Sequence, residues 1–342
     1  MGDEYMKRLK VGVIGLGLGK LHVASYSARE TVGRLVICDS NPEILEIVQD
    51  SFPKIKKAYT DLDAMLERED LDIVSVTTPD HLHRPHAVKC LKAGCHVLLT
   101  KPMALTLADA KAIVRAAETS GRKLMVAQER RFRTFTLKLK ELLDRGFLGD
   151  IVHVRYDSIQ DKREQFRRAP WYASPEVCRT PITGSGIHQV DMIRFLIGLP
   201  VIRVGAFSNA FGDLEFPGNK TTTALFQFQG RIIGQVTVTY VVHLPPKAEP
   251  IDDTFRLVGT KGIVVGNRVA YDGINGWKEI PRDRVPIPKS SDRCIESFLR
   301  SVLENRPVAI EPRDAFASVA AAVAADESAA TGDFIVPVGQ DF

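Results

Sequence analysis

Between residues 9 and 127 the chain alternates short runs of β-branched and other apolar residues with longer stretches whose apolar positions recur at helical spacing. The runs fall at residues 10–14, 35–38, 73–77, 96–99 and 123–126. Such alternation predicts repeated βαβ units and a parallel sheet. The punctuation between runs agrees: Asn41-Pro42 offers a cap followed by proline at the first helical position, and Thr106 to Asp109 has the form of a capping box. Gly94 and Gly121 stand where helices should stop.

Beyond about residue 130 the texture changes. A helical pattern over 136–145 ends at Gly146, and 151–159 then alternates like a strand. Further strand-like runs at 202–208, 222–228, 232–242, 254–258 and 262–265 follow with little helix between them. They predict a mainly antiparallel sheet, with Gly230-Arg231 suited to a tight hairpin. Helices are expected at 187–196, closed by Gly198, and at 294–304 and 315–330. The fold class is therefore α/β in an N-terminal domain, residues 1–129, with a doubly wound parallel sheet, and α+β in a C-terminal domain, residues 130–342. A length of 342 residues suits two cores better than one.

An apolar fraction of 44% and a charged fraction of 26% describe an ordinary globular chain. No run approaches the roughly 18 apolar residues of a membrane helix, and the N-terminal stretch lacks the apolar core of a signal peptide. A cytoplasmic protein with no membrane partner is expected. The five cysteines (Cys38, Cys90, Cys95, Cys178, Cys294) form no C-x-x-C pair, which argues against a disulfide framework and a zinc ribbon. A net charge of +4 with dispersed basic residues is too mild for nucleic-acid binding; Arg130, Arg131, Arg133, Arg167 and Arg168 suit a solvated face or an anionic part of a ligand.

The first run enters Gly15-Leu16-Gly17-Leu18-Gly19, a glycine turn opening a helix. Glycines there let the backbone turn tightly and bring a pyrophosphate to the helix N-terminal amides. The third glycine arrives one residue earlier than in G-x-G-x-x-G. Asp39 ends the second run at the distance expected of a carboxylate that binds the adenine ribose; it repels a 2'-phosphate, and the following Ser40 supplies no cation to hold one. NAD is favoured over NADP. Asp39 can equally be read as a helix cap or turn residue. Thr77-Thr78-Pro79 with His83 closes the 73–77 run at the sheet edge where ligands sit, and is expected to border the nicotinamide. His81, His83 and His86 lie close together but have no completing carboxylate or thiolate pattern, so no metal site is expected. Thr100-Lys101-Pro102 ends the next run and places an ammonium to meet a substrate oxygen. His188 and Asp191, three apart, share a helix face on which the carboxylate can steady the imidazole; a buried structural histidine is the alternative.

Taken together, these residues resemble the family of glucose-fructose oxidoreductase, inositol dehydrogenase and the rhizopine-catabolism protein MocA. The likeness runs over nearly the whole chain: the glycine loop with His22, Thr78-Pro79 with His83, 93–97 leading to Lys101-Pro102, Leu148-Gly149, Trp171, Gly186-Ile187-His188 with Asp191, 259–262, and 327–329. It implies a Rossmann domain followed by an open sheet that floors the substrate site and mediates homodimers or homotetramers. It implies further that Lys101 binds and polarises the substrate oxygen, that His188 is the general acid/base, and that Lys101-Pro102 is cis. Arg131, Trp171, Tyr172 and Asp191 join them as candidate substrate contacts. The implied activity is hydride transfer between NAD and a hydroxyl-bearing carbon of a sugar, cyclitol or related polyol, with both candidate groups, from two domains, serving one substrate.

The chain departs from the family pattern at Thr100, where glutamate is common, at Gly184, where aspartate often stands four residues before the histidine, and in the shortened glycine loop. Two other functions fit the same resemblance: a non-catalytic regulator that senses NAD or sugar, and an enzyme whose tightly held NAD oxidises a sugar transiently to allow elimination or glycoside cleavage.

Overall fold

The computed structural model describes residues 8–177, 179–243, 254–284 and 286–339. They form two compact units, one of residues 8–104, 108–129 and 287–315, the other of 105–107, 130–177, 179–243, 254–284, 286 and 316–339. The contiguous halves expected from sequence differ from this division chiefly at 287–315.

In the first unit, strands β1 (Leu9–Ile14), β2 (Val32–Cys38), β3 (Ile55–Tyr59), β4 (Ile73–Val76), β5 (His96–Thr100) and β6 (Leu124–Ala127) form one parallel sheet in the order β3-β2-β1-β4-β5-β6. This is the doubly wound arrangement, and its order reverses between β1 and β4. Helices α1 (Leu16–Ser27), α2 (Pro42–Ser51), α3 (Leu62–Arg68), α4 (His83–Lys92) and α5 (Leu107–Ser120) connect the strands. Local chemistry sets their ends. The Asn41 side chain accepts the Glu43 amide ahead of Pro42, while Gly94 and Gly121 take positive φ after their helices.

Helix α9 (Pro286–Leu303) belongs to this unit because it is pinned to α1: Ser25 Oγ donates to Asp292 (2.7 Å), and Arg29 reaches Asp292 and Glu296 (2.8 Å each). Its Cys294, Ile295, Phe298 and Leu299 are fully buried. A helix read from sequence alone carries no record of which sheet its apolar stripe will cover.

The second unit holds α6 (Thr134–Asp144), α7 (Arg163–Arg168), α8 (Ile187–Ile197) and α10 (Pro312–Thr331) with a nine-stranded sheet. Its strands are β7 (Ile151–Tyr156), β8 (Ser158–Ile159), β9 (Val201–Asn209), β10 (Thr221–Phe228), β11 (Ile233–Thr239), β12 (Phe255–Gly259), β13 (Gly262–Val265), β14 (Arg268–Tyr271) and β15 (Lys278–Glu279). Their order is β15-β14-β13-β12-β7-β11-β10-β9, antiparallel except where β11 runs parallel to β7 and to β8. The expected single strand over 151–159 is broken in two at Asp157, whose carboxylate bonds Arg155, Thr254 and the Thr237 amide. Gly230 and Arg231 both have positive φ within a three-residue hairpin loop, 229–231, closed where the Phe228 amide donates to the Ile232 carbonyl (2.9 Å).

Each long strand shows one face to the core. Ala224, Phe226 and Phe228 of β10 and Val236 and Val238 of β11 are buried, and Gly234 lies under Ile193 of α8. Among the described residues no helix is long and apolar enough to cross a membrane.

Candidate functional site

The glycine turn sits at the C-terminal end of β1, where the strand order reverses. Gly15 has φ +84°, and a side chain there would strike the backbone of Thr77 and Thr78 within 3 Å. At Gly19 the obstacle is Thr77 Oγ1, 2.5 Å from a would-be Cβ. Gly17 differs: nothing lies within 4 Å of a Cβ placed there, and Leu18 beside it is exposed. The turn therefore has a packed side, at Gly15 and Gly19, and an open side at Gly17.

Asp39 closes the turn from β2. Its Oδ2 accepts the Leu16 amide at the start of α1 (2.6 Å) and its Oδ1 accepts the Asn41 amide (2.9 Å), with Ser40 exposed between. Each oxygen retains a second lone pair, so the turn role and a ribose contact are compatible.

Thr77 is buried, its hydroxyl donating to the Ile14 carbonyl (2.8 Å), so it ties β4 to β1 beneath the turn. Thr78 and Pro79 follow, half-buried, and Pro79 caps a short turn leading to α4. His83, fully buried, faces two carbonyl oxygens: Nδ1 lies 2.7 Å from Pro102 O and Nε2 2.9 Å from Thr78 O. Burial holds its pKa below the usual imidazole range against the pull of Asp80 and both carbonyls. His83 thus sits between the Thr78 loop and the Lys101-Pro102 turn, and a neutral ring, with one N–H, donates to one of the two carbonyls at a time. Thr100, standing where the family commonly has glutamate, turns inward and donates to the Val76 carbonyl (3.1 Å). Lys101 follows directly after β5, half-buried, and the Lys101-Pro102 peptide is cis. His22, named in the resemblance, lies inside the unit, with Nδ1 3.1 Å from Ser75 Oγ and its pKa pushed down to about 4 by burial.

In the second unit, His188 occupies the first turn of α8, half-buried. A five-residue π-turn, Pro181–Ser185, delivers it. Thr180 and Thr183 cap that turn reciprocally, Thr180 Oγ1 donates to Asp326 Oδ2 on α10 (2.7 Å), and Ser185 Oγ meets Tyr240 (3.0 Å). Gly186 rests against Val238, fixing the start of α8 on β11.

Asp191 does not bond His188. Its oxygens accept from Arg131 Nε (2.8 Å) and a second guanidinium nitrogen (2.5 Å), and from Ser318 Oγ (3.0 Å). Both charged partners are buried, so the expected carboxylate–imidazole pair is replaced by a carboxylate–guanidinium fork that anchors α8. Arg131, a candidate substrate contact, is committed to that fork, its guanidinium over the Phe195 ring.

Trp171 and Tyr172 are half-buried and stacked, with ring centroids 3.8 Å apart, and Tyr172 also stacks on Phe166. Arg179 lies over both rings, 4.5 Å from the Tyr172 centroid and 5.8 Å from that of Trp171. A Cβ at Gly184 would fall 2.2 Å from Arg179 Nε. The glycine standing where the family often has aspartate is thus sterically coupled to an arginine that motif reading passed over, since among scattered basic residues it carried no signal. Asp326 was likewise missed inside an alanine-rich helix; burial lifts its pKa to about 7.

The four described cysteines are buried and unbridged, their thiol pKa values raised by burial, and Cys178 lies outside the described residues. Two surface hollows of about 460 Å³ are lined by none of the candidate site residues: one beside Lys140 and Asp144, the other between α1 and α9 at Leu21 and Asp292.

Residues 9–128 match the oxidoreductase family model with an NAD-binding Rossmann fold, and 136–265 match the Gfo/Idh/MocA C-terminal domain. A D-apiose dehydrogenase of Rhizobium rhizogenes (strain K84 / ATCC BAA-868) is 29% identical over 276 residues, spanning 79% of this chain and 78% of that protein. A 1-carboxy-3-chloro-3,4-dihydroxycyclohexa-1,5-diene dehydrogenase of Comamonas testosteroni is 27% identical over 69% of this chain, which spans 59% of that protein's length. Among solved structures, an oxidoreductase from Agrobacterium radiobacter, in complex with NAD+, L-tartaric acid and magnesium, superposes with a TM-score of 0.87 at 26% identity, covering 96% of this chain and 98% of the other. With both of its units matched, this chain belongs to the Gfo/Idh/MocA family of NAD-binding oxidoreductases.

Proposed function

We propose that this protein oxidises or reduces a hydroxyl-bearing carbon of a sugar, a cyclitol or a related polyol. The observation that carries the reading is the parallel-sheet edge: an open-sided glycine turn after β1, Asp39 after β2 and Lys101 after β5 all lie at the C-terminal ends of strands of one parallel sheet. The amides from Gly15 to Gly19 would hold the pyrophosphate, Asp39 with Ser40 the adenosine ribose, and Thr77, Thr78, Pro79, His83 and Thr100 the nicotinamide end. When bound, NAD supplies the acceptor or donor of the hydride. Lys101 holds the substrate oxygen and favours its anionic form. His188 exchanges the hydroxyl proton, and an imidazole suits this because its ordinary pKa of about 6.5 lies near working pH. Trp171 and Tyr172 offer stacked faces for the apolar face of a ring.

The cytoplasm is the proposed compartment, consistent with the unbridged thiols of the described cysteines. A homodimer or homotetramer through the second sheet is the proposed assembly.

Following absorbance at 340 nm with NAD+ and a panel of sugars and inositols tests the activity. Lys101→Met should lower kcat/KM by on the order of 10³, and His188→Asn should remove the acidic limb of the pH–rate profile. Full activity in either variant, or no cofactor reduction across the panel, would overturn the reading. Substrate conversion without net change in cofactor redox state would instead point to transient oxidation.

A further inference from the structure

Of the clustered His81, His83 and His86, only His83 has a place in the proposed cofactor site. Among the described residues no group of three His, Cys, Asp or Glu side chains could hold a metal ion, which leaves hydrogen bonding as the chemistry of the other rings. His86 stands in the first turn of α4, three residues after His83 and on the same face of the helix, half-buried, with Nδ1 3.1 Å from Thr78 Oγ1. His83 Nε2 lies 2.9 Å from the carbonyl oxygen of that same threonine. One helix face therefore holds Thr78 twice, by its backbone oxygen and by its hydroxyl.

A Cβ built on Gly15 would fall 2.9 Å from Thr78 Cα, so Thr78 walls the glycine turn, and Pro79 after it restricts its backbone to extended conformations. A threonine hydroxyl can occupy more than one staggered position and rotate its hydrogen in each. The contact with His86 selects one of these. Burial, helped by His83, Lys89 and His81, pushes the His86 pKa down to about 4 against the pull of Asp63. The ring is therefore neutral at working pH and acts as a hydrogen-bonding partner, not as a charge. A hydroxyl bonded once can still make further hydrogen bonds, and a group fixed beforehand costs a ligand less to engage than one that must be ordered on binding.

We propose that His86 is a positioning residue: it fixes the Thr78 hydroxyl for the nicotinamide riboside half of the bound dinucleotide, and through that hydroxyl raises the affinity for NADH. This rests on the placement of Thr78 at the nicotinamide end in the proposed function, and adds the residue behind it. The glycine turn and Asp39, which would hold the adenosine half, take their geometry from β1 and β2, so that half should be indifferent to His86.

The test is the affinity for NADH, read by its fluorescence, and for ADP, read by displacement of NADH. His86→Leu should weaken NADH by about 3–10-fold, the worth of one neutral hydrogen bond, and leave ADP within about twofold. His86→Asn, whose amide can donate or accept where Nδ1 stood, should bring NADH back to within about twofold of the wild type. Thr78→Val should weaken NADH to the same degree, and adding His86→Leu to it should cost nothing more, because both changes remove one interaction. His86→Ala replaces His86→Leu if the larger side chain does not fold. NADH held as tightly by His86→Leu as by the wild type while Thr78→Val weakens it, equal losses for NADH and ADP, no recovery in His86→Asn, or losses that multiply in the double variant, each overturns the proposal. Unchanged NADH affinity in Thr78→Val would refute the placement of Thr78 and the proposal with it. The full pattern in a protein that oxidises no polyol would leave the His86 assignment standing and refute the proposed activity alone.

Discussion

Gly17 and Gly19 are two residues apart, and a methyl group at each would meet opposite surroundings. At Gly19 it would press on Thr77 Oγ1 at 2.5 Å and on Val13 at 3.2 Å, both inside the packed seam between α1 and the sheet. At Gly17 it would enter open space. Gly19→Ala should therefore cost about 1–3 kcal/mol of stability, the usual range for overpacking, before any cofactor is added. Gly17→Ala should leave the denaturant midpoint of the cofactor-free protein unchanged and weaken NAD binding by about tenfold or more, since the methyl stands where backbone and pyrophosphate approach. Denaturation curves with and without NAD separate the two, and a stability loss in Gly17→Ala equal to that in Gly19→Ala would sink this division of roles. The glycine turn and Asp39 were legible in sequence because spacing along the chain encodes them. Which glycine packs and which opens was not, since that depends on Thr77, which arrives from β4.

Helix α8 shows how one element takes its position from others distant in sequence. The fork from Arg131 holds it from one side, and the π-turn before it is tied through Thr180 to Asp326 on α10. Burial lifts the Asp326 pKa from the usual carboxylate range to about 7. Between those values the unfolded chain has already released its proton while the folded chain keeps it, so stability falls as pH rises through that window and stays lowered above it. The contribution is about 4 kcal/mol at most, taking 1.36 kcal/mol for each factor of ten in acidity. Asp326→Asn should thus stabilise the protein at pH 8 and change little at pH 4, which urea midpoints at the two pH values would show; a pH-independent effect would dismiss the linkage. Sequence periodicity located α8 and α10 but missed β3, β14 and β15. In β3 a single residue, Ile55, is fully buried, and Lys56-Lys57 masks an edge strand paired on one side only. The Arg131–Asp191 fork was unreadable for a different reason: with both residues known, the nearer neighbour His188 looked the natural partner of the carboxylate.

At the scale of the whole molecule, parallel sheet followed by mainly antiparallel sheet was legible from the alternation of runs, and the placement of α9 was not, since it rests on Ser25 and Arg29 recognising Asp292 and Glu296. For the proposed homodimer or homotetramer, the candidate surface is the face of the second sheet that turns away from α8. There Phe207 of β9 stands opposite Thr223 of β10, Leu225 opposite Gly205 and Gln235, and Ile233 opposite His153. Phe207 is 84% exposed, Leu225 50% and Ile233 47%, so an apolar strip runs across adjacent strands in solvent. An isolated exposed phenylalanine is unremarkable, but a contiguous strip built in register on a rigid sheet is what a self-complementary interface uses. Phe334 already covers part of β9, lying over Gly205 with Arg203 stacked on its ring, which leaves the strip around Phe207 and Leu225 as the surface that a second copy would bury. Phe207→Glu combined with Leu225→Glu places like charges face to face across such a two-fold contact. The pair should shift the protein from dimer or tetramer toward monomer in light scattering at micromolar concentration, weakening association by about 100-fold or more, with the far-UV spectrum unchanged because both side chains point away from the core. A wild-type protein that stays monomeric at about 100 µM, or a variant that assembles as before, would remove this face from consideration and leave its apolar strip for another partner.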